Sequence, residues 1–115
     1  MEDAPSTLRL LEAVNRSNLT VNLQLPLRDE EWQVSLSALA YATTHIHIHN
    51  WTQGLGEGDL TYLATGVFDW EPVVRHLKEL GRPLCLSIEH PDHGEGAWKT
   101  AEVDGAFLQG FRERF

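Results

Sequence analysis

The chain has 115 residues, of which 42% are hydrophobic and 23% are charged, and this is typical of one globular domain spanning residues 1–115. Its 9 basic and 17 acidic residues give a net charge of −8, which argues against binding to nucleic acid or to an anionic membrane surface. No apolar run is long enough to span a bilayer, and the acidic N-terminus lacks the features of a signal peptide. Because Cys85 is the one cysteine, no internal disulfide can form, and we expect a cytoplasmic protein.

The first half of the chain alternates helix and strand patterns. Leu8, Leu11 and Val14 recur at helical spacing, whereas residues 18–25 alternate apolar and polar side chains as a half-buried strand does. The elements predicted in this half are a helix at 5–15, a strand at 18–25, a helix at 30–41 with Asp29 as its N-cap, and a strand at 43–49.

Glycines divide the second half of the chain. They predict a loop at 50–59, which a short strand at 60–64 follows. Asp69 as N-cap and Gly81 after the last turn bound the next predicted helix. A strand at 84–89 and a helix at 97–113 complete the pattern. The side chains of the last helix that we expect to face inward are Trp98, Ala101, Leu108 and Phe111.

Each of the three clear strands has one aliphatic face and one polar face. The polar faces carry Asn22 and Gln24, then His45, His47 and His49, then Cys85, Ser87 and Glu89. Alternating helices and strands predict a parallel sheet, but strands covered by helices on both faces are nearly continuous apolar runs. These strands instead indicate helices on one face only. The predicted fold class is therefore α/β, a parallel (βα)4 half of a TIM barrel with helices on the outer face, preceded by one N-terminal helix.

Polar side chains gather at the carboxyl ends of the predicted strands, where the active sites of barrels lie. These side chains are Gln24, His47, His49 and Glu89. Imidazole and carboxylate groups suit a divalent ion that polarises a carbonyl or hydroxyl oxygen, and His47 with Glu89 is the favoured pair of ligands. His45 is better explained as a filler of the barrel interior, and His49 fits a ligand or a pocket lining equally well. Trp51 is best explained as a pocket wall or a core residue, and stacking on a sugar ring is the alternative.

The segment "IHIHN" resembles the "vHvkD" strand of xylose isomerase-like TIM barrels, a family that includes sugar-phosphate isomerases and epimerases. "LSIEH" is similar to the last strand of that family, "NLTVNLQLPL" to its fifth strand, and "TGVFDWEPVVRHLKELG" to the segment before its seventh helix. The chain thus resembles strands 5–8, the C-terminal half of the barrel. Gln24 stands where the family commonly has a metal-binding aspartate, and Asn50 where it usually has an aspartate.

The resemblance implies a partial or truncated metal-dependent isomerase or epimerase that acts on a sugar or sugar phosphate. It makes His47 and Glu89 the catalytic residues and metal ligands, with Zn²⁺, Mn²⁺ or Mg²⁺ as the cofactor. The expected substrate contacts are Gln24, His49, Asn50 and Trp51.

A complete barrel needs about 250 residues and a catalytic metal usually has three protein ligands, so neither is complete in this chain. A half barrel also leaves two sheet edges open. We therefore expect a homo-oligomer or a complementary half-barrel chain as the partner. Two alternatives to an isomerase stay open: a non-catalytic assembly module that completes a barrel with its partner, and a metallohydrolase that uses the HxH histidines.

Overall fold

The computed structural model describes residues 3–26, 31–54, 57–82, 84–89 and 92–115, so the predicted N-cap Asp29 lies outside the described residues. The helices are α1 (Ala4–Val14), α2 (Trp32–Leu39), α3 (Glu71–Glu79) and α4 (Ala97–Arg114), and a 3-10 turn, Ala40–Ala42, follows α2. The strands are β1 (Val21–Leu25), β2 (Thr43–Ile48), β3 (Asn50–Gln53), β4 (Glu57–Thr61) and β5 (Cys85–Ile88). None of the helices in these ranges is long and apolar enough to cross a membrane.

The main sheet consists of β1, β2 and β5, which are parallel and lie in that order. Aliphatic residues of the central strand β2 are the most deeply buried, with Ile46 and Ile48 at 0% and 1% exposure. They pack in one core with Leu36 of α2 and Val73 of α3. The opposite face of the sheet carries the polar residues, as the alternation of the strands predicts. The half-barrel class is thereby confirmed.

Two aspartate side chains accept backbone N–H groups at the starts of helices. The Asp3 carboxylate accepts the Ser6 N–H at 2.7 Å and caps α1. The Asp69 carboxylate accepts the N–H of Glu71, the first residue of α3, at 3.0 Å, but the N-cap of this helix is Trp70, one residue after the predicted Asp69. Gly81 follows the end of α3 with a φ of 67°, in the left-handed region that favours glycine.

The prediction of a loop at 50–59 is wrong, because β3 and β4 form an antiparallel hairpin outside the main sheet. Gly54 and Gly58 have positive φ angles of 26° and 70°, so the glycines shape the bend of this hairpin. The strand predicted at 60–64 is not a fourth parallel strand, since only residues 60–61 are extended and they belong to β4. β2 pairs directly with β5, and the described residues therefore contribute three parallel strands where the (βα)4 prediction has four.

The predicted inward face of α4 is partly wrong. Trp98 is 90% exposed, and Ala101 is also exposed. The buried residues of α4 are Thr100, Asp104 and Phe111, which recur at helical spacing. Asp104 fixes this rotation because its carboxylate accepts the N–H of Leu63 at 2.9 Å.

Candidate functional site

Backbone pairing brings the carboxyl ends of β1, β2 and β5 to one edge of the sheet. Gln24 lies opposite His47 in the register of β1 and β2, and His47 lies opposite Ser87 of β5. Beyond the strand ends, the Glu89 N–H donates to the carbonyl of Ile48 at 3.0 Å. Parallel pairing thus sets Glu89 beside the end of β2, although the two strands are far apart in sequence.

Four of the predicted site residues come together at this edge, and we call them the Glu89 cluster: Gln24, His47, His49 and Glu89. The Glu89 carboxylate is at its centre. His49 Nδ1 is 3.2 Å from Glu89 Oε2, and His47 Nδ1 is 3.9 Å from Glu89 Oε1. The side-chain amide of Gln24 donates to Glu89 Oε2 and lies 3.5 Å from His49 Nδ1.

The members of the Glu89 cluster differ in their access to solvent. His49 is buried, with 6% of its side chain exposed, whereas His47 and Glu89 are 36% and 28% exposed. The Trp51 ring covers His49 edge-on, with 4.4 Å between ring centroids. His47 and Glu89 can therefore meet a molecule on the polar face of the sheet, while His49 and Trp51 form the wall behind them.

The structure does not bring Asn50 to the Glu89 cluster, although it was predicted to contact substrate. Its side chain is fully buried and bonds to the backbone of the segment that follows the hairpin. The amide donates to the carbonyls of Leu63 and Phe68 at 2.7 and 3.0 Å, and the oxygen accepts the N–H groups of Trp51 and Phe68 at 3.0 and 3.1 Å. Since all these groups are engaged, Asn50 holds this segment in place and does not face a ligand.

A second polar contact lies deeper on the same face of the sheet. His45 Nε2 is 2.6 Å from the Ser87 hydroxyl, and the His45 ring meets the His47 ring edge-on with 5.3 Å between centroids. His45 therefore lines the interior, as predicted. Ser87 was placed on the polar face by the strand alternation, but its pairing with His45 depends on the register between β2 and β5, which the sequence does not specify.

The donor chemistry of the Glu89 cluster suits a divalent ion, but its arrangement does not. Within the described ranges, no three His, Cys, Asp or Glu side chains are placed together so that they could hold a metal ion. Glu89 Oε2 already accepts a hydrogen bond from the neutral Gln24 amide, whose nitrogen cannot act as a metal ligand. A catalytic metal usually has three protein ligands, so these residues do not by themselves fit a metal centre.

The chain has three parallel strands with polar side chains at their carboxyl ends, and its fold is that of part of a TIM barrel. One solved structure that it matches is the probable 3-DHS dehydratase AsbF of Bacillus anthracis, described as involved in petrobactin synthesis. The two share 20% identity with a TM-score of 0.73, and the match covers 94% of this chain and 44% of AsbF.

This chain therefore spans less than half the length of AsbF, and at such low identity the match establishes the fold alone. No model of a protein family matches the chain, and no curated protein does.

Proposed function

We propose that this chain supplies the proton-transfer part of an isomerase or epimerase that acts on a sugar or sugar phosphate. The observation that carries the proposal is the contact of one carboxylate, Glu89, with two histidines at the carboxyl ends of parallel strands. Isomerisation and epimerisation of sugars move a proton at a carbon next to a carbonyl or hydroxyl group, and paired carboxylate and imidazole groups are suited to this task.

Exposure assigns the roles within the Glu89 cluster. Glu89 is the base that takes the proton from carbon, and His47 is the group that exchanges a proton with the neighbouring oxygen, because both are partly exposed. Gln24 and the buried His49 hold the Glu89 carboxylate in place. Trp51 is the pocket wall beside them. None of these roles requires a metal ion.

Exchange of substrate protons with solvent tests this proposal. Aldoses, ketoses and their phosphates are incubated with the chain in D2O, with and without Mn²⁺, and proton NMR follows loss of the C–H signal next to the carbonyl. We expect exchange by the wild-type chain and at least a tenfold loss in Glu89→Gln and in His47→Asn. His76→Asn is the matched control, since His76 bonds to Ser37 on the outer helices at 2.9 Å. If no substrate exchanges under either condition, the chain is not a proton-transfer catalyst.

The alternative is an assembly module whose partner completes the barrel, and the open edges of the sheet support it. β1 and β5 each have one neighbouring strand, so each leaves a row of backbone groups without a strand partner in the described sheet. Leu84, which precedes β5, and Leu86 on β5 are only partly buried, beside a groove that the basic side chains of Lys78, Arg82 and Arg112 border. The partner is a second copy or a complementary half-barrel chain.

Light scattering distinguishes a homodimer from a monomer that needs a different partner chain. A homodimer has about twice the chain mass of 13.0 kDa, and its β1 and β5 edge amides are protected from hydrogen exchange. A stable monomer with unprotected edges would exclude self-association and leave the complementary chain.

A further inference from the structure

The side-chain amide of Gln24 contacts both the Glu89 carboxylate and the His49 imidazole, two groups whose chemistry suits a cation. We infer that this amide replaces a metal ion in the Glu89 cluster, and that the chain forms its site without a metal. The inference concerns the site of the proposed function but does not rest on catalysis, because it is tested by binding and by hydrogen bonding rather than by turnover.

The orientation of the amide follows from its neighbour. A carboxylate can only accept hydrogen bonds, so the nitrogen of Gln24, and not its oxygen, must face Glu89 Oε2. The same nitrogen lies 3.5 Å from His49 Nδ1, which is itself 3.2 Å from Glu89 Oε2. The three atoms form a small triangle, and the partial positive charge of the amide hydrogens points at the carboxylate.

This triangle occupies the side of Glu89 that faces His49, where these two side chains would share a metal ion. A metal bound by Glu89 and His49 needs a lone pair from each aimed at one common point. Here the Gln24 N–H engages the oxygen of Glu89 that faces His49. A cation would have to displace this charge-assisted hydrogen bond. The Gln24 amide would then have to rotate to present its oxygen, and a neutral oxygen compensates the positive charge less than a carboxylate does.

The backbone fixes the position from which the Gln24 side chain extends. Gln24 lies in register with His47 in the parallel ladder, and His49 N–H donates to the carbonyl of Leu25 at 3.4 Å. β1 therefore cannot slide to withdraw Gln24 without breaking its pairing with β2. A change of the side chain at this single position should then decide whether the site accepts a metal.

The first experiment compares Mn²⁺ binding by the full chain and by Gln24→Glu, followed by calorimetry and by the paramagnetic resonance signal of free Mn²⁺. Glutamate has the same shape but replaces the N–H donor with a charged oxygen. We expect a Kd for Mn²⁺ at least tenfold lower in Gln24→Glu than in the wild type, and a Tm that Mn²⁺ raises only in the variant. Gln33→Glu is the matched control, because Gln33 is exposed on α2 and takes the same charge change.

The second experiment needs no folded variant. In the wild-type chain we expect nuclear Overhauser effects between the Gln24 side-chain amide protons and the His49 ring, and no change of these signals with Zn²⁺ at one equivalent. Absence of these effects would overturn the inference. So would one-to-one binding of Mn²⁺ or Zn²⁺ by the wild type that is as tight as in Gln24→Glu and is lost in Glu89→Gln.

Discussion

Replacement of Asn50 by alanine is the sharpest test of the structural role that we assign to this residue. The substitution removes four hydrogen bonds at a fully buried position, two to carbonyl groups and two from N–H groups. Three of these bonds connect the start of β3 with residues 63 and 68, which precede α3, and the fourth is to the N–H of the adjacent Trp51. Gly66 packs so closely that a Cβ there would lie 2.0 Å from the Asn50 side chain, and Gly66 itself has no side chain to fill the gap.

At about 1 kcal/mol net for each hydrogen bond, Asn50→Ala should lower the free energy of unfolding by about 4 kcal/mol. Backbone groups left without partners add to this loss where water cannot reach them. Urea unfolding followed by tryptophan fluorescence measures the change. Asn22→Ala, at an exposed position on β1, is the control and should change stability by less than about 0.5 kcal/mol. A loss below about 1 kcal/mol for Asn50→Ala would refute the structural role and return Asn50 to the set of substrate contacts.

Three further changes test the packing of residues 63–68 and of α4. Burial raises the pKa of Asp104, so its charge opposes folding at neutral pH; Asp104→Asn should add about 1 kcal/mol at pH 7, measured by urea unfolding. This gain should shrink as the pH falls through the raised pKa and end below 3.8, the ordinary value, whereas a gain independent of pH would contradict this cause. Trp98→Ala should change stability by less than about 0.5 kcal/mol, because Trp98 is 90% exposed. Gly66→Ala should lower the Tm by several degrees, because its Cβ would clash with Asn50.

The parallel strands could be predicted from the sequence because their alternation is strict. In residues 21–25 and 45–48 every second side chain is aliphatic, and the buried face of the sheet follows directly from this pattern. The hairpin could not be predicted in the same way. Residues 50–61 are rich in glycine and lack alternation, and glycines at 54 and 58 are compatible with a loop as well as with the bend between two short strands.

The rotation of α4 shows why a count of apolar residues can select the wrong face. Trp98 and Ala101 suggested one side of the helix, but Thr100, Asp104 and Phe111 lie on the buried side. A single hydrogen bond from the Leu63 N–H to Asp104 contributes to this choice, and its partner is more than 40 residues away in sequence. Long-range polar contacts of this kind leave no periodic signal in the sequence.

The location of the Glu89 cluster could be predicted, but its internal bonding could not. Alternation and the rule that barrel sites lie at the carboxyl ends of strands place Gln24, His47, His49 and Glu89 at one edge. Which oxygen of Glu89 meets which histidine depends on the register of three strands and on side-chain rotation.

The contacts within the Glu89 cluster join only side chains that β1, β2 and β5 position. A partner that closes the barrel would enclose the substrate without being needed to hold the Glu89 carboxylate. Glu89→Gln should therefore disturb the Gln24 and His49 contacts in the isolated chain, whereas changes at the sheet edges should alter assembly and leave those contacts intact.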